Sequence, residues 1–67
     1  MSVARVTEIT ATSTDSFEDA IRKGIDRACK TLQNVQGAWI QEQTITVQNN
    51  QITSFKVNMK VTFVLND

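Results

Sequence analysis

The stretch Ser54 to Leu65, SFKVNMKVTFVL, decides the architecture. Phe55, Val57, Met59, Val61, Phe63 and Leu65 alternate with Ser54, Lys56, Asn58, Lys60 and Thr62. An extended backbone turns successive side chains to opposite faces, so this order predicts a long strand with one buried face. Just upstream, Ala38 to Gln48 is rich in Ile, Thr, Val and Trp, and Asn49-Asn50 separates the two runs. Asparagine accepts positive φ at modest cost, so the spacing predicts a hairpin closed by a type I′ turn. A two-residue loop fixes the register: Val47 opposite Ile52, Ile45 opposite Ser54, Gln43 opposite Lys56, Gln41 opposite Asn58 and Trp39 opposite Lys60. On that count Gly37, Trp39, Gln41, Gln43, Lys56, Asn58, Lys60 and Thr62 share one face. The other face is apolar and takes a helix, with Glu42 on its margin as a structural salt bridge or, alternatively, a metal ligand.

Upstream of the hairpin, Phe17, Ala20, Ile21, Gly24, Ile25, Ala28, Leu32 and Val35 recur at steps of three and four, the stripe of an amphipathic helix between Thr12 and Val35. Ser13, Asp15 and Ser16 are candidate caps, and Asp15 with Glu18 has the spacing of a capping box. Asn34 and Gly37 are expected to end the helix. Glu18 with Arg22, Asp19 with Lys23 and Asp26 with Lys30 stand at i,i+4 on the outer face, a solvated surface. Gly24 lies on the apolar stripe, where glycine costs up to about 1 kcal/mol relative to alanine. A close approach of helix to sheet would explain it. Val3 to Ala11 reads as a first, Thr-rich strand. The order is β-α-β-β, an α+β fold in which a three-stranded antiparallel sheet packs on one helix, with one domain over residues 1–67. One sheet face is left uncovered, and the only tryptophan sits on it.

Composition narrows the function. A 67-residue chain buries only about 60% of the surface that its unfolded form exposes, and small domains make up the deficit with disulfides, metals or self-association. A single cysteine and no histidine exclude an intrachain disulfide and the usual zinc spacings. Oligomerisation remains. Seven basic against seven acidic residues leave no net field to draw the chain onto nucleic acid or anionic lipid. No run reaches the roughly 20 apolar residues of a membrane span, and none has signal-peptide character, which fits a cytoplasmic protein.

Catalytic patterns are missing. Two glycines cannot form a phosphate-binding loop, no histidine is available as a base, and Cys29, beside the helix stripe, reads as a small packing residue rather than a nucleophile. Trp39 has two readings. It is either an aromatic buried between subunits or a stacking surface for a planar ligand, with Lys56, Lys60, Gln41 and Gln43 available to ring heteroatoms or a phosphate.

The segments TSTDSFEDAI (12–21), ACKTLQN (28–34), Glu42-Gln43 and VNMKVTFVL (57–65), in this order and spacing, make the chain resemble the dodecins. The resemblance implies β-α-β-β subunits assembled as a hollow homododecamer that binds and stores flavin (riboflavin, FMN or FAD) in the cytoplasm without being an enzyme. It also admits an alternative: a structural or ion-binding shell that takes no flavin, since some members of the family are associated with calcium. Flavin-binding dodecins carry a stacking tryptophan soon after the helix and a glutamine on the last strand. Those positions fall here on Gly37 and Lys56, which marks a diverged branch. Trp39, two residues along and hence on the same face, is the displaced stacking candidate. The ligand-binding residues expected are Trp39, Lys56, Gly37, Gln41 and Gln43, with no metal and no catalytic residue.

Overall fold

The computed structural model describes residues 3–65. Strand β1 (Ala4–Ser13) leads into helix α1 (Phe17–Thr31), followed by β2 (Val35–Gln48) and β3 (Gln51–Val64). The sheet is antiparallel with the order β1-β3-β2, so the alternating strand that decides the fold lies in the middle. Its odd-numbered side chains Val57, Met59 and Val61 are fully buried, because α1 lies across β1 and β3. Ala20 joins them in the core, with Ile9, Ala11, Phe17, Ile21 and Ile25 packed around it. Phe17 meets Phe55 edge-on at 5.1 Å between ring centroids, a favoured aromatic geometry.

The helix is shorter than its apolar stripe. Ser16 is the N-cap, its Oγ accepting the Asp19 amide at 2.9 Å, so the expected Asp15–Glu18 capping box is not used. At the other end Leu32 leaves the helical region and Asn34 takes the left-handed conformation, φ 61°. Leu32 and Val35 thus fall outside the helix, and Gly37 lies within β2 with no positive φ. Asn34 alone makes the turn. Of the three expected helix pairs, Glu18–Arg22 closes at 3.3 Å and Asp19–Lys23 at 3.0 Å. Asp26–Lys30 forms no ion pair among the described residues. Cys29 is exposed rather than packed.

Gly24 is the point of closest approach between the layers. A Cβ there would fall on the terminal methyl of Met59 and 3.1 Å from the Cβ of Ala11, so the helix seats itself on the sheet through a missing side chain. At the joint between β1 and α1, the buried Ser13 hydroxyl donates to Asp19 Oδ2 at 2.5 Å and accepts the Asp15 amide at 2.9 Å. The Ser13 bond foremost, then the one from Lys23, holds the Asp19 carboxyl below its ordinary range, and Asp19 in turn raises the Lys23 ammonium.

Strand β2 pairs with β3 throughout but carries no buried residue. Asn49 and Asn50 both have positive φ, 53° and 63°, as the type I′ turn requires. From that turn the register starts as counted, with Val47 opposite Ile52, and then slips. Thr53 is an extra residue on β3, which puts Thr46 opposite Ser54, Thr44 opposite Lys56, Gln43 opposite Val57 and Glu42 opposite Asn58. Gln41 is an extra residue on β2, and it restores Ile40 opposite Met59, Trp39 opposite Lys60 and Ala38 opposite Val61. A third irregularity at Gln36 follows Gly37 opposite Thr62. Each bulge adds one residue to one strand and inverts the faces beyond it.

Candidate functional site

The sheet face away from α1 is built from four rows of side chains, each crossing all three strands. Thr12, Lys56 and Thr44 form the first row, Thr10, Asn58 and Glu42 the second, Glu8, Lys60 and Trp39 the third, and Val6, Thr62 and Gly37 the fourth. No helix of the described residues lies over this face. Trp39 keeps 50% of its surface exposed, and the Lys60 ammonium stands 6.0 Å from its ring centroid, at the outer limit of a cation–π contact. Asn58 Nδ2 donates to Glu8 Oε2 and to Thr10 Oγ1, both at 3.0 Å, which ties the middle strand to β1 from above.

The expected site residues divide accordingly. Trp39, Gly37 and Lys56 stand on this face, with Lys56 two rows from Trp39. Gln41 is the bulge residue between them and is unpaired in the ladder. Gln43 does not belong there: the slip places it opposite buried Val57, on the helix side. Glu42 makes the reverse move, from the apolar side to the outer face opposite Asn58. Polar Gln41 and Thr53, inserted among other polar residues, leave the alternation of β2 readable in either phase, so counting from the turn could not detect them. Glu8 and Thr10 escaped notice as site residues. The signal for them was there, since Val6, Glu8, Thr10 and Thr12 occupy successive even positions of the first strand and must share a face.

A cleft of about 480 Å³ opens between α1 and β1, lined by Ile9, Gly24, Arg27, Ala28, Thr31 and Leu32 among others. It contains none of the expected site residues. No group of three or more potential metal-ligating side chains occurs among the described residues, and none of their helices is long and apolar enough to cross a membrane.

A helix laid across two strands of a three-stranded sheet, with a tryptophan left open on the far face, can be compared with known families. The dodecin family model matches residues 3–66. The chain belongs to the dodecin family. Among solved structures, the dodecin from Streptomyces davaonensis is 38% identical, with 98% of this chain and 97% of that one covered and a TM-score of 0.92. A single-residue variant of the Thermus thermophilus dodecin is 27% identical over the whole of both chains, with a TM-score of 0.94. The calcium dodecin of Mycobacterium tuberculosis, described as calcium-chelating, is 25% identical, with 96% and 91% covered and a TM-score of 0.82. A search of curated protein sequences gives no match. The fold is thus shared with one chain described as calcium-chelating.

Proposed function

We propose that this dodecin is a non-enzymatic binding and storage protein for a flavin-type planar cofactor (riboflavin, FMN or FAD), working as a hollow twelve-subunit shell. The observation that carries the reading is Trp39, half exposed on the sheet face away from α1, with an ammonium 6.0 Å from its ring centroid. An aromatic ring laid on it gains dispersion and apolar burial, and Lys56 and Lys60 supply donors to ring acceptors or a phosphate. Gly37, one row from Trp39, adds no side chain to the floor, and the Gln41 bulge lies between Trp39 and Glu42. Gln43, on the helix side, leaves the set. An exposed free thiol, Cys29, suits a reducing compartment, and we place the protein in the cytoplasm.

Fluorescence titration with riboflavin, FMN and FAD is the test. Binding should quench Trp39 emission, and Trp39→Ala, which has no tryptophan and is therefore followed by flavin emission, should bind more weakly by about 1–3 kcal/mol, as truncating an aromatic under a stacked base does. Sedimentation at micromolar concentration should show a twelve-subunit particle. If no flavin quenches Trp39 and calcium instead shifts the thermal midpoint, the ion-binding reading described for the Mycobacterium tuberculosis relative takes its place.

A further inference from the structure

Asn58 stands on the open face with its two amide ends already distinguished. Its Nδ2 lies 3.0 Å from Glu8 Oε2 and 3.0 Å from Thr10 Oγ1. An ionised carboxylate only accepts hydrogen bonds, so the atom turned to Glu8 must be the nitrogen, and the flip of the amide is settled by its neighbour. Both N–H groups are spent on β1. The carbonyl Oδ1, on the other branch of Cγ, is turned away from that strand, and no donor among the described residues reaches it. No buried side-chain oxygen or nitrogen of those residues is unpartnered, so Oδ1 keeps contact with solvent, on a residue that stands on the face away from α1. The outcome is a fixed, outward acceptor on a half-buried side chain.

The next row supplies the opposite chemistry. Lys60 forms no ion pair among the described residues, although Glu8 is its partner across the ladder. Its ammonium stands over the Trp39 ring, 6.0 Å from the centroid. Residues 58 and 60 point the same way from one strand, about 6.7 Å apart along it, and the flexible lysine stem allows the ammonium to be brought beside a ligand atom that Oδ1 also meets.

We propose that Asn58 and Lys60 together read the edge of the planar ligand: Oδ1 accepts from a ring N–H while the ammonium donates to the carbonyl next to it. That pattern selects a cyclic imide or lactam edge over one whose nitrogen is alkylated, and Glu8 and Thr10 are positioning residues that prevent Nδ2 from turning outward. The inference rests on the reading that a planar ligand stacks on Trp39. An alkylated nitrogen leaves Oδ1 without a donor in a site that the ligand has closed to water, and an acceptor stranded in this way is costly.

The test compares lumiflavin with 3-methyllumiflavin, two tail-free isoalloxazines that differ only in whether the imide nitrogen carries hydrogen or methyl. Both should quench Trp39, with the methylated ring bound at least about tenfold more weakly. Asn58→Leu, similar in size but without an acceptor, should lower lumiflavin affinity to nearly that of its methylated counterpart while the quench persists. Glu8→Ala should reduce the preference by freeing the amide, an effect that a purely structural role for Glu8 would not have. Equal affinity of the wild-type protein for the two rings would overturn the proposal and leave stacking on Trp39 intact. Failure of both rings to bind would overturn the proposal and the stacking reading together.

Discussion

Strands β2 and β3 are each fourteen residues long and are hydrogen-bonded to one another along their length, yet one holds the core and the other holds none of it. Val57, Met59 and Val61 of β3 are sealed under α1, whereas Ile40, Ile45 and Val47 of β2 are exposed. Backbone pairing therefore does not separate the two strands; cover does. Net hydrogen-bond energy in water is small, and stability follows apolar area removed from solvent. The packed half, β1, α1 and β3, is self-sufficient in that sense. The β2 arm, in a molecule 52 Å long and only 13 Å thick, has no such cover among the described residues.

Substitutions should divide along the same line. Met59→Ala removes a fully buried side chain at the point where Gly24 presses on it, and it should cost about 2–5 kcal/mol in chemical denaturation. A smaller loss than from any β2 variant would undo the division. Ser13→Ala leaves the Asp15 amide without its acceptor and takes from Asp19 the Ser13 donor while Lys23 remains, for about 1–3 kcal/mol. It should also change the acid limb. A carboxyl whose folded pKa is depressed contributes stability above its unfolded value, and that contribution is lost as pH falls through the folded pKa. For Asp19 the loss begins below the ordinary value of 3.8. Unfolding of the Ser13→Ala variant followed by circular dichroism should show a weaker fall in stability below that pH than the parent shows.

Gly24→Ala sets two small effects against each other. Alanine gains up to about 1 kcal/mol of helix propensity but forces Met59 aside and crowds Ala11, which costs about 1–3 kcal/mol when a core is overpacked. A net loss near 1 kcal/mol is expected, and a rise in thermal midpoint would mean that the layers sit further apart. Smallest should be Ile45→Thr on the arm, within about 0.5 kcal/mol for the fold of the chain. Its effect should appear in sedimentation as dissociation at protein concentrations where the parent remains assembled. Unchanged assembly would show that the arm's apolar side chains have no partner.

How much of this was legible beforehand follows from the same contrast. The 54–65 alternation is unbroken and the helix stripe keeps its period, so β3, α1 and the Gly24 contact could be read from residue types alone. Asn49-Asn50 announced its own turn. The β2 register could not be read through, because a bulge is one extra residue whose only trace is a change of phase. Gln41 and Thr53 are polar residues that suit either face. Trp39 kept its place only because the Gln41 insertion cancels the Thr53 insertion before position 40, while Gln43 and Glu42, caught between them, exchanged faces. The role of Asn58 lay further from view. It depends on β1 arriving beside β3, and no local pattern in the second half of the chain announces that neighbour.

The strand order carries a consequence for how the chain is made. The middle strand of the sheet is the last to leave the ribosome. Until it emerges, β1 has no partner: Ser13 and Phe55 are 42 residues apart in the chain and Ala4 and Val64 are 60 apart. Hairpins of the β2–β3 kind close in about 1–10 μs, whereas pairing across such separations must first overcome the entropy of a long loop. Docking of β1 should therefore come late, with substitutions at Ile9 and Ala11 giving φ-values near zero and those at Ile40 and Met59 higher ones. In the interval the apolar stripe of α1 lacks the β3 side chains Val57, Met59 and Val61 that cover it in the folded chain.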